Sequence, residues 1–459
     1  MEQRKLLLEQ RQAFGTVVNH WDIMPSKLRP HQVEGIKWIL NREINSTPRG
    51  GMLCDEMGLG KTLQMIGAIV KNPKKHTLIV VPKSIVQQWV SELAKFAPKL
   101  TVCAYDGPRR KYKPADVCVC PYSVIVDLLE YQWDRVILDE GHEIRSRSSL
   151  VHKNAMRISA PIRWIVTGTP VFNRFKDFIS LCEFVGVPIR KIQSCTDEVR
   201  KEIILRRVKD SDVGIEFRNV ELEMYPNERE LYERALCELD EAECVLEGIL
   251  RCRQVCSWPK MYDPEWEGTT TAKMDTLTAM IKTHPKEKSL VFTQFIEESK
   301  EIQRRLEQQR ETFLLYGAIE NRDEVIQAFK NSKDPGAVFI IQIKTGGVGL
   351  NLQEASRVYI TQPSWNPATE LQAIARSHRD GQKKKVIVKK LVYAECDAVD
   401  NEITELQILK SEICSQVLGD ETIRKQIPEI KFTASNFRVK LGRKNEDSED
   451  SSQDSGGDS

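Results

Sequence analysis

The first half of the chain alternates short apolar or β-branched runs with stretches of helical periodicity, from about residue 28 to residue 185. Each run is three to five residues long. Continuous runs of this kind are typical of parallel strands that are buried on both faces. The pattern therefore predicts an α/β domain built around a parallel sheet. The runs are Thr77–Val81, Val117–Cys120, Val136–Leu138 and Trp164–Thr167.

A second block of the same kind begins near Ser289 and predicts a second α/β domain. Between the blocks, residues 227–256 are charged and helical in period, which predicts a helical insertion or connector. From Asn445 onward the chain is almost entirely Ser, Asp, Glu and Gly, a composition that cannot bury enough apolar surface to fold. The runs of the second block are Leu290–Thr293, Val338–Ile341, Val358–Thr361 and Ile387–Val392.

Composition narrows the class of protein. The 459 residues carry a formal net charge of +2, but six acids and no basic residue lie between Glu446 and Ser459, so the rest carries +8. That excess permits a phosphate-binding face. Twelve scattered cysteines favour reduced thiols in an intracellular compartment. Because no apolar run approaches the ~20 residues that a membrane span requires, we expect a soluble protein without a membrane partner.

A candidate phosphate loop runs from Asp55 to Thr62, between an apolar pair and a helical stretch. A strand, a turn containing Gly58 and Gly60, and a helix N-terminus place backbone N–H groups around an anion. Lys61 would then reach the β- and γ-phosphates of a nucleotide, and Thr62 would hold Mg²⁺. Asp55 stands where the strict motif has glycine, and taken alone so short a match also arises by chance.

The second candidate segment is Val136–His142, which reads VILDEGH. A short strand would deliver Asp139 to the Mg²⁺ shell and Glu140 to the attacking water, as a phosphoryl-transfer site requires. An isolated Asp-Glu pair after apolar residues is more often a solvated strand end. Its combination with the upstream phosphate loop favours a nucleotide site.

These two segments resemble the SWI/SNF family of superfamily 2 helicase-like ATPases, in the subgroup with Asp-Glu-Gly-His and in a minimal form without accessory modules. Further segments that resemble the family's motifs follow in order between Leu28 and Ile403. They are Leu28–Gln32, Val81–Ser84 with Gln88 and Trp89, Thr167–Pro170 with Asn173, Arg251–Cys256 with Pro259, Val291–Phe295, Lys344–Asn351, Ser364–Pro367 and Gln372–Gln382.

The resemblance implies an α/β fold of two RecA-like parallel-sheet lobes with helical insertions between them. We expect five segments along the chain. They are an N-terminal helical extension (1–27), an ATP-binding lobe 1 (28–190), a helical connector (191–272), a lobe 2 of the helicase C-terminal type (273–425), and a C-terminal extension with a disordered acidic tail (426–459).

The resemblance also implies a DNA-dependent ATPase that uses ATP and Mg²⁺. For the ATP site, the resemblance implies that Gln32 reads the adenine and that Gly349 binds ATP. It also implies that Arg376 and Arg379 are arginine fingers. The two arginines lie three residues apart, on one face of a predicted helical turn, and a guanidinium fork suits a γ-phosphate that gains charge. Outside this set of motifs they would be surface arginines of a basic helix.

On the DNA side, the implied partner is double-stranded DNA, held through its phosphates without sequence readout. We expect a translocase that remodels DNA–protein complexes, nucleosomes among them, in the nucleus or in a viral DNA factory or virion. Chromatin remodelling, DNA repair and transcription are the processes that this implies. The implied DNA-contacting residues are Lys83, Ser84, Thr293, Lys344, Thr345 and Trp365.

Three residues depart from the family's pattern. Asp380 replaces the usual Ile beside a proposed arginine finger, Gln362 replaces Asp, and Trp258 replaces His. Zinc is not expected, because the cysteines of the connector lack the paired CxxC spacing of a zinc module. These cysteines are Cys237, Cys244, Cys252 and Cys256.

Two alternatives remain open at this point. A strand-separating DNA or RNA helicase of superfamily 2 would share the ATP site and would be stimulated by single strands or RNA. A scaffold that binds DNA without turnover would need a defect in the site, for which Asp380 is the candidate.

Overall fold

The computed structural model describes residues 28–168, 175–208, 214–241, 244–346, 351–379, 381–395, 397–420 and residue 423. They fall into two compact units: the first from residues up to 210 and from 413–420, the second from 211–412 and residue 423. The predicted N-terminal extension and acidic tail, together with Gly349 and Asp380, lie outside the described residues.

A seven-stranded sheet forms the centre of the first unit, in the order β3-β4-β2-β5-β6-β1-β7. Every strand pair is parallel, as continuous apolar runs favour. The strands are β1 (Arg49–Leu53), β2 (Thr77–Val81), β3 (Val102–Ala104), β4 (Val117–Pro121), β5 (Arg135–Asp139), β6 (Ile162–Val166) and β7 (Ile204–Leu205).

The helices of the first unit pack on this sheet through apolar faces. Ile36, Ile66 and Trp89 from three helices join Ile79 and Ile137 of the strands in one buried cluster. The helices are α1 (Pro30–Asn45), α2 (Lys61–Lys71), α3 (Val86–Phe96), α4 (Leu150–Arg157), α5 (Phe175–Val185), α6 (Ile189–Ser194) and α7 (Thr196–Ile203), with 3₁₀ segments at Lys83–Ile85, Tyr122–Leu128 and Gly141–Ile144.

A six-stranded parallel sheet forms the centre of the second unit, in the order β10-β11-β9-β12-β13-β8. Residues of one face, such as Val291 and Tyr359, belong to one buried apolar cluster, and residues of the other face, such as Phe292 and Val358, belong to another. The strands are β8 (Ile215–Leu222), β9 (Ser289–Thr293), β10 (Thr312–Leu315), β11 (Val338–Gln342), β12 (Arg357–Ile360) and β13 (Val386–Tyr393).

Eight helices follow the strands of the second sheet in the part of the chain that the structure describes. Two of them, α8 and α9, contact each other and contribute Tyr232 and Cys252 to the core. They are α8 (Pro226–Glu241), α9 (Val245–Ser257), α10 (Ala272–Lys282), α11 (Ile296–Leu306), α12 (Arg322–Asn331), α13 (Ile343–Gly346) and α14 (Pro367–Ile374), and α15 (Val399–Leu418) follows β13.

The predicted fold class, two α/β lobes with parallel sheets, is confirmed. The segment predicted as a helical connector, 191–272, is not helical throughout, because β7 pairs with the first sheet and β8 with the second. Its polar residues had obscured both strands; the domain boundaries themselves stay predictions. Within the described ranges, no helix combines the length and apolar character that crossing a membrane requires.

Candidate active site

The carboxyl edge of the first sheet gathers the predicted nucleotide residues. β1, β5 and β6 are neighbours, so Leu53, Asp139 and Val166 lie in one row at the ends of their strands. The chain leaves this row through the candidate phosphate loop after β1 and through Asp139 and Glu140 after β5. Ligands of open parallel sheets bind outside this edge, which makes it the candidate site.

The glycine turn of the loop has the backbone that the motif requires. Gly58 and Gly60 have φ of +89° and +74°, a region that side chains rarely adopt. A Cβ at Gly60 would lie 2.4 Å from Gln32 Nε2, so the glycine also admits the predicted adenine reader. Gln32 is buried, and its Oε1 accepts the Arg29 backbone N–H at 3.0 Å.

Lys61 begins α2 and lies beside the acids of the site. Its Nζ donates to Asp55 O at 2.9 Å and to Glu56 O at 3.3 Å. Burial lowers the pKa of Lys61, and the nearby charges of Glu140, Asp139 and Asp55 oppose that change. A Cβ at Gly168 would lie 2.8 Å from Nζ, so a larger residue there would require the Lys61 side chain to shift. The structure therefore brings Lys61 together with Asp139 and Glu140.

Asp139 is buried and fixed by neighbouring donors. Its Oδ2 accepts the Trp89 indole N–H at 2.7 Å, and its Oδ1 accepts the Glu140 backbone N–H at 2.9 Å. The Tyr122 hydroxyl donates to its carbonyl at 2.8 Å. Burial and the charge of Glu140 raise the pKa of Asp139 to about 6, while the Trp89 hydrogen bond opposes the rise. The ionised carboxylate would thus gain from a cation.

Glu140 has a strained backbone. Among the non-glycine residues of the described ranges, it alone has a positive φ, 50° with ψ 45°. Such strain persists only where the surrounding structure enforces it, and it is concentrated at functional sites. His142 Nδ1 lies 3.4 Å from Glu140 Oε2. The turn holds the two carboxyl groups at successive positions beside Lys61.

The residues at this edge fit Mg²⁺ with a nucleotide. Magnesium prefers oxygen ligands, keeps several waters, and is usually held by one or two protein groups plus phosphates. Asp139 offers a buried carboxylate, and Thr62, at the second residue of α2, offers a hydroxyl beside the loop. When bound, the metal would neutralise phosphate charge.

Asp55, the departure from the strict loop motif, has a structural explanation. Its side chain is fully buried, and Arg207 donates to its Oδ1 from the backbone N at 3.1 Å and from Nε at 3.0 Å. Gln64 Nε2 donates to Oδ2 at 3.1 Å. Arg207 also donates to His31 O. A carboxylate at position 55 therefore ties the loop to α1 and to the segment after β7.

Arg206 and Arg207 were missed by the sequence analysis. Arg206 Nη1 donates to Cys54 O at 2.8 Å, and its Nε donates to Asp420 Oδ2 at 2.9 Å. Glu56 N donates to Arg207 O at 2.9 Å. The pair of arginines after a short apolar run was the available signal, but nothing local indicates that it borders a loop about 150 residues away.

The predicted DNA-contacting residues of the first unit are exposed. Lys83 and Ser84 form part of the 3₁₀ turn between β2 and α3. In the second unit, Lys344 is exposed and Thr345 half-buried on the short helix α13. Trp365 is half-buried, with the Arg253 guanidinium 5.9 Å from its ring centroid.

Thr293 is placed differently from the other predicted DNA contacts. It ends β9 with no exposed surface, and its hydroxyl lies 2.6 Å from Ser299 Oγ. The apolar run that identified the strand also buries its last residue. A direct contact between this hydroxyl and a DNA phosphate does not agree with that position.

Arg376 and Arg379 lie in the turns that follow α14 and not within a helix, which differs from the predicted helical turn. α14 ends at Ile374, and both arginines belong to the turns that follow, where Arg376 N donates to Ala373 O. Gln382 Nε2 bonds to Gln353 O and Ala355 O, each at 2.9 Å, and so ties these turns to the segment before β12. Arg376 is buried and Arg379 half-buried.

The remaining departures occupy packed positions. Gln362 is buried, and its Nε2 donates to Arg253 O at 3.1 Å. Trp258 stacks edge-on with Trp266 at a centroid distance of 5.7 Å. Of the four connector cysteines, Cys252 and Cys256 are buried in α9, and Cys237 and Cys244 are exposed. No group of three or more His, Cys, Asp or Glu side chains arranged for a metal occurs within the described ranges.

Two protein families match the chain. Residues 31–196 match the SNF2-related domain, and residues 272–381 match the helicase conserved C-terminal domain. The first match contains the phosphate loop and the Asp139–Glu140 pair, and the second contains Arg376 and Arg379.

Relatives of very different length are similar to the chain. The probable global transactivator of Orgyia pseudotsugata multicapsid polyhedrosis virus is 29% identical over 437 residues, covering 81% of this chain and 88% of that protein. An uncharacterized ATP-dependent helicase of Mycoplasma pneumoniae is 30% identical, covering 91% of this chain and 44% of that protein. The human SWI/SNF-related matrix-associated actin-dependent regulator of chromatin subfamily A member 1 is 26% identical. The alignment covers 90% of this chain and 46% of that protein.

Among solved structures, the Sulfolobus solfataricus SWI2/SNF2 ATPase core in complex with dsDNA is 25% identical, with a TM-score of 0.41. The alignment covers 89% of this chain and 98% of that chain. The chain thus spans most of the viral relative and less than half of the mycoplasma and human relatives.

Proposed function

This chain belongs to the SNF2 family of helicase-like ATPases, and we propose that it couples ATP hydrolysis to translocation along double-stranded DNA. The observation that carries the proposal is the convergence of Lys61, Asp139 and Glu140 at the carboxyl edge of the first sheet. Remodelling of DNA–protein complexes, nucleosomes among them, is the proposed outcome of such movement. A human relative is named as a regulator of chromatin, and a viral relative as a probable transactivator.

The proposed chemistry follows from the positions of the first-unit residues. Lys61 would exchange its contacts with the Asp55 and Glu56 carbonyls for oxygens of the β- and γ-phosphates. Glu140, on its strained turn, would orient the attacking water and accept its proton. Asp139 and Thr62 would hold the Mg²⁺ that accompanies the nucleotide. Gln32 would read the adenine, beside Gly60.

For the second unit, we propose that Arg376 and Arg379 stabilise the charge that the γ-phosphate gains during transfer. A guanidinium is always charged and presents a planar fork of donors that matches phosphate oxygens. Both arginines lie in turns to which Gln382 is bonded, since its Nε2 donates to Ser377 O at 3.2 Å and its backbone N–H donates to Arg379 O at 3.0 Å. Gly349 remains a proposed contact to ATP.

The proposed DNA contacts are the exposed or half-exposed residues of both units, and we leave Thr293 out because it is buried. Contacts from lysine ammonium groups and hydroxyls to phosphates position a protein on DNA without reading sequence. Each neutralised phosphate adds to the salt dependence of binding. The proposed set is Lys83, Ser84, Lys344, Thr345 and Trp365.

The test is the steady-state ATPase rate with no nucleic acid, duplex DNA, single-stranded DNA and RNA, each at two salt concentrations. We expect stimulation by duplex DNA alone, with an apparent DNA affinity that falls steeply as salt rises. Stimulation by single strands or RNA would support a strand-separating helicase instead. An absence of turnover with every nucleic acid would contradict the proposal.

A variant of Lys61 tests the phosphate contact separately. Lys61→Ala should weaken ATP binding itself, because it removes a cation from the β- and γ-phosphates. Lys71→Ala, at the other end of the same helix, is the matched control and should bind ATP like the wild type. Normal ATP affinity of Lys61→Ala, measured with a fluorescent ATP analogue, would refute the phosphate role.

A further inference from the structure

Trp89 connects the apolar core of the first unit to the candidate metal position. It lies on α3, is 1% exposed, and packs in the cluster that contains Ile137 of β5. Its indole N–H donates to Asp139 Oδ2 at 2.7 Å. The proposed chemistry above gives this tryptophan no role, although it is bonded directly to the side chain proposed to hold Mg²⁺.

The geometry around Asp139 limits how its carboxylate can rotate. Trp89 donates to Oδ2, and the Glu140 backbone N–H donates to Oδ1, so each oxygen is held by a different part of the chain. A carboxylate oxygen has two lone pairs. One donor on each oxygen fixes the plane of the group and leaves lone pairs for a metal. Outer-shell hydrogen bonds of this kind orient metal ligands in proteins.

A simpler explanation is that a buried indole N–H needs any acceptor. The same unit contains a second buried tryptophan with that arrangement. Trp164 has no exposed surface, and its N–H donates to Glu43 Oε1 at 2.9 Å. Glu43 is neutralised by Arg135, which donates to both of its oxygens. The Trp164–Glu43 contact is therefore a matched structural case, against which Trp89 can be measured.

We infer that Trp89 is a positioning residue for ATP hydrolysis: its indole N–H holds the Asp139 carboxylate in the orientation that binds the magnesium of Mg·ATP. The inference rests on the proposed function, because that function places Mg²⁺ at Asp139. Trp89 is buried and bonded to the carboxylate, so it would act through Asp139. Its removal should therefore weaken metal binding in the nucleotide complex and leave metal-free nucleotide binding unchanged.

The experiment compares Trp89→Phe with Trp164→Phe in the full chain. Each substitution removes one indole N–H from a buried carboxylate and leaves an aromatic ring in place. The readout is the dissociation constant of Mn²⁺ from the complex with ATPγS, measured by electron paramagnetic resonance of free Mn²⁺. We expect Trp89→Phe to raise it by about 10-fold, as loss of an outer-shell partner does, and Trp164→Phe to leave it within about twofold.

A second measurement excludes a general packing defect. The affinity for mant-ATP in the presence of EDTA should be the same in the wild type and both variants, because no metal takes part. If Trp89→Phe lowers metal-free affinity as much as it lowers Mn²⁺ affinity, Trp89 is only a packing residue and the inference is overturned. Equal Mn²⁺ affinities in the two variants would also overturn it.

If Trp89→Phe does not fold, benzothienylalanine at position 89 replaces it in the same assays. This residue has the shape of tryptophan with sulfur in place of the indole N–H, so only the hydrogen bond is lost. Measurements on the wild type distinguish a failure of the proposed ATPase function from a failure of the inference about Trp89. A wild type that neither hydrolyses ATP nor binds Mn²⁺ with ATPγS contradicts the proposed function. An active wild type with unchanged Mn²⁺ binding after either Trp89 replacement contradicts the inference alone.

Discussion

Among the described residues of the first unit, two buried carboxylates accept an indole N–H, and one of the two has a guanidinium partner. Glu43 accepts Arg135 Nε at 2.7 Å and Nη2 at 2.6 Å, and also Trp164. Asp139 accepts Trp89 and the backbone N–H of Glu140, whose own carboxylate lies next to it. Burial and Glu140 raise the pKa of Asp139 to about 6. The charge of Glu43 is therefore balanced by Arg135 within the protein, whereas the Asp139 carboxylate is suited to bind a cation from solution.

We therefore expect the Glu43 carboxylate to contribute mainly to the stability of the fold and the Asp139 carboxylate mainly to ATP hydrolysis. Breaking the Glu43 centre should destabilise the fold without altering the reaction, since it leaves a buried charge without a partner. Altering Asp139 should stop the reaction with a smaller loss of stability, because the cost of its lost hydrogen bonds is offset by removal of a buried charge that the protein compensates incompletely. Each of the following variants tests one side of that comparison.

Glu140→Gln should have the largest effect. The amide keeps the size of the side chain but cannot accept a proton, so we expect kcat to fall by about 10²–10⁴-fold. ATP and DNA binding should persist, because the proposed metal and phosphate contacts remain. Single-turnover hydrolysis on DNA-saturated protein is the measurement, with Glu143→Gln, an exposed acid of the same segment, as the control. Retained turnover in Glu140→Gln would end its assignment as the base.

Arg135→Met should lower the free energy of unfolding by about 3–5 kcal/mol, because Glu43 would remain buried without its cation. The rate of ATP hydrolysis per folded molecule, measured at low temperature, should stay near that of the wild type. Urea denaturation gives the stability, and Arg110→Met, which removes a half-exposed ion pair with Asp127, is the control. A small loss of stability in Arg135→Met would remove the contrast between the two centres.

Asp139→Asn should gain stability relative to the wild type as pH rises, although its amide nitrogen replaces one acceptor of the Trp89 and Glu140 N–H groups. The folded-state pKa of Asp139 lies above its ordinary value, so as pH rises the unfolded chain loses this proton first, and wild-type stability falls between about pH 4 and pH 6. Asparagine does not titrate. Relative to the wild type, the variant should gain up to about 3 kcal/mol through that window, and the difference should stay constant above it. Urea denaturation at a series of pH values checks this, and a difference that is independent of pH would contradict the sign.

Asp55→Asn should have the smallest effect, and it should change both the stability of the fold and the KM for ATP. This third buried carboxylate has an arginine partner, as Glu43 does, and lies on the phosphate loop near Lys61. Loss of its charge should cost about 1 kcal/mol of stability, as weakening of a charge-assisted hydrogen bond does, and should raise the KM for ATP. Asp116→Asn, which affects an exposed contact with Thr101, is the control. An unchanged KM would show that the Asp55–Arg207 contact does not position the loop.

The sequence predicted the central strands better than the edges of the sheets. The predicted strand Thr77–Val81 has the same bounds as β2, because a strand buried on both faces is a continuous apolar run. β8 and β10 were not predicted. Both lie at sheet edges and are half exposed, and β8 alternates charged with apolar residues. At an edge, exposure removes the apolar continuity on which the prediction depended.

The same limit applies to the site. Lys61, Asp139 and Glu140 were predicted because each lies in a short motif whose order is informative. Trp89 lies in such a motif too, but its bond to Asp139 spans 50 residues, and the Arg207–Asp55 contacts span 152. These partners are set by strand order and helix packing, which local sequence does not encode. The sequence also did not show that Thr293 would be buried at the end of its strand, or that α14 would end before Arg376.

The most direct test measures ATP hydrolysis at saturating duplex DNA and thermal stability for the wild type, Asp139→Asn and Arg135→Met. We predict that Asp139→Asn loses at least about 10-fold in rate but unfolds near the wild-type temperature, while Arg135→Met unfolds at a lower temperature but hydrolyses ATP normally per folded molecule. Hydrolysis by Asp139→Asn at the wild-type rate would contradict the claim that this edge of the sheet is the ATPase site.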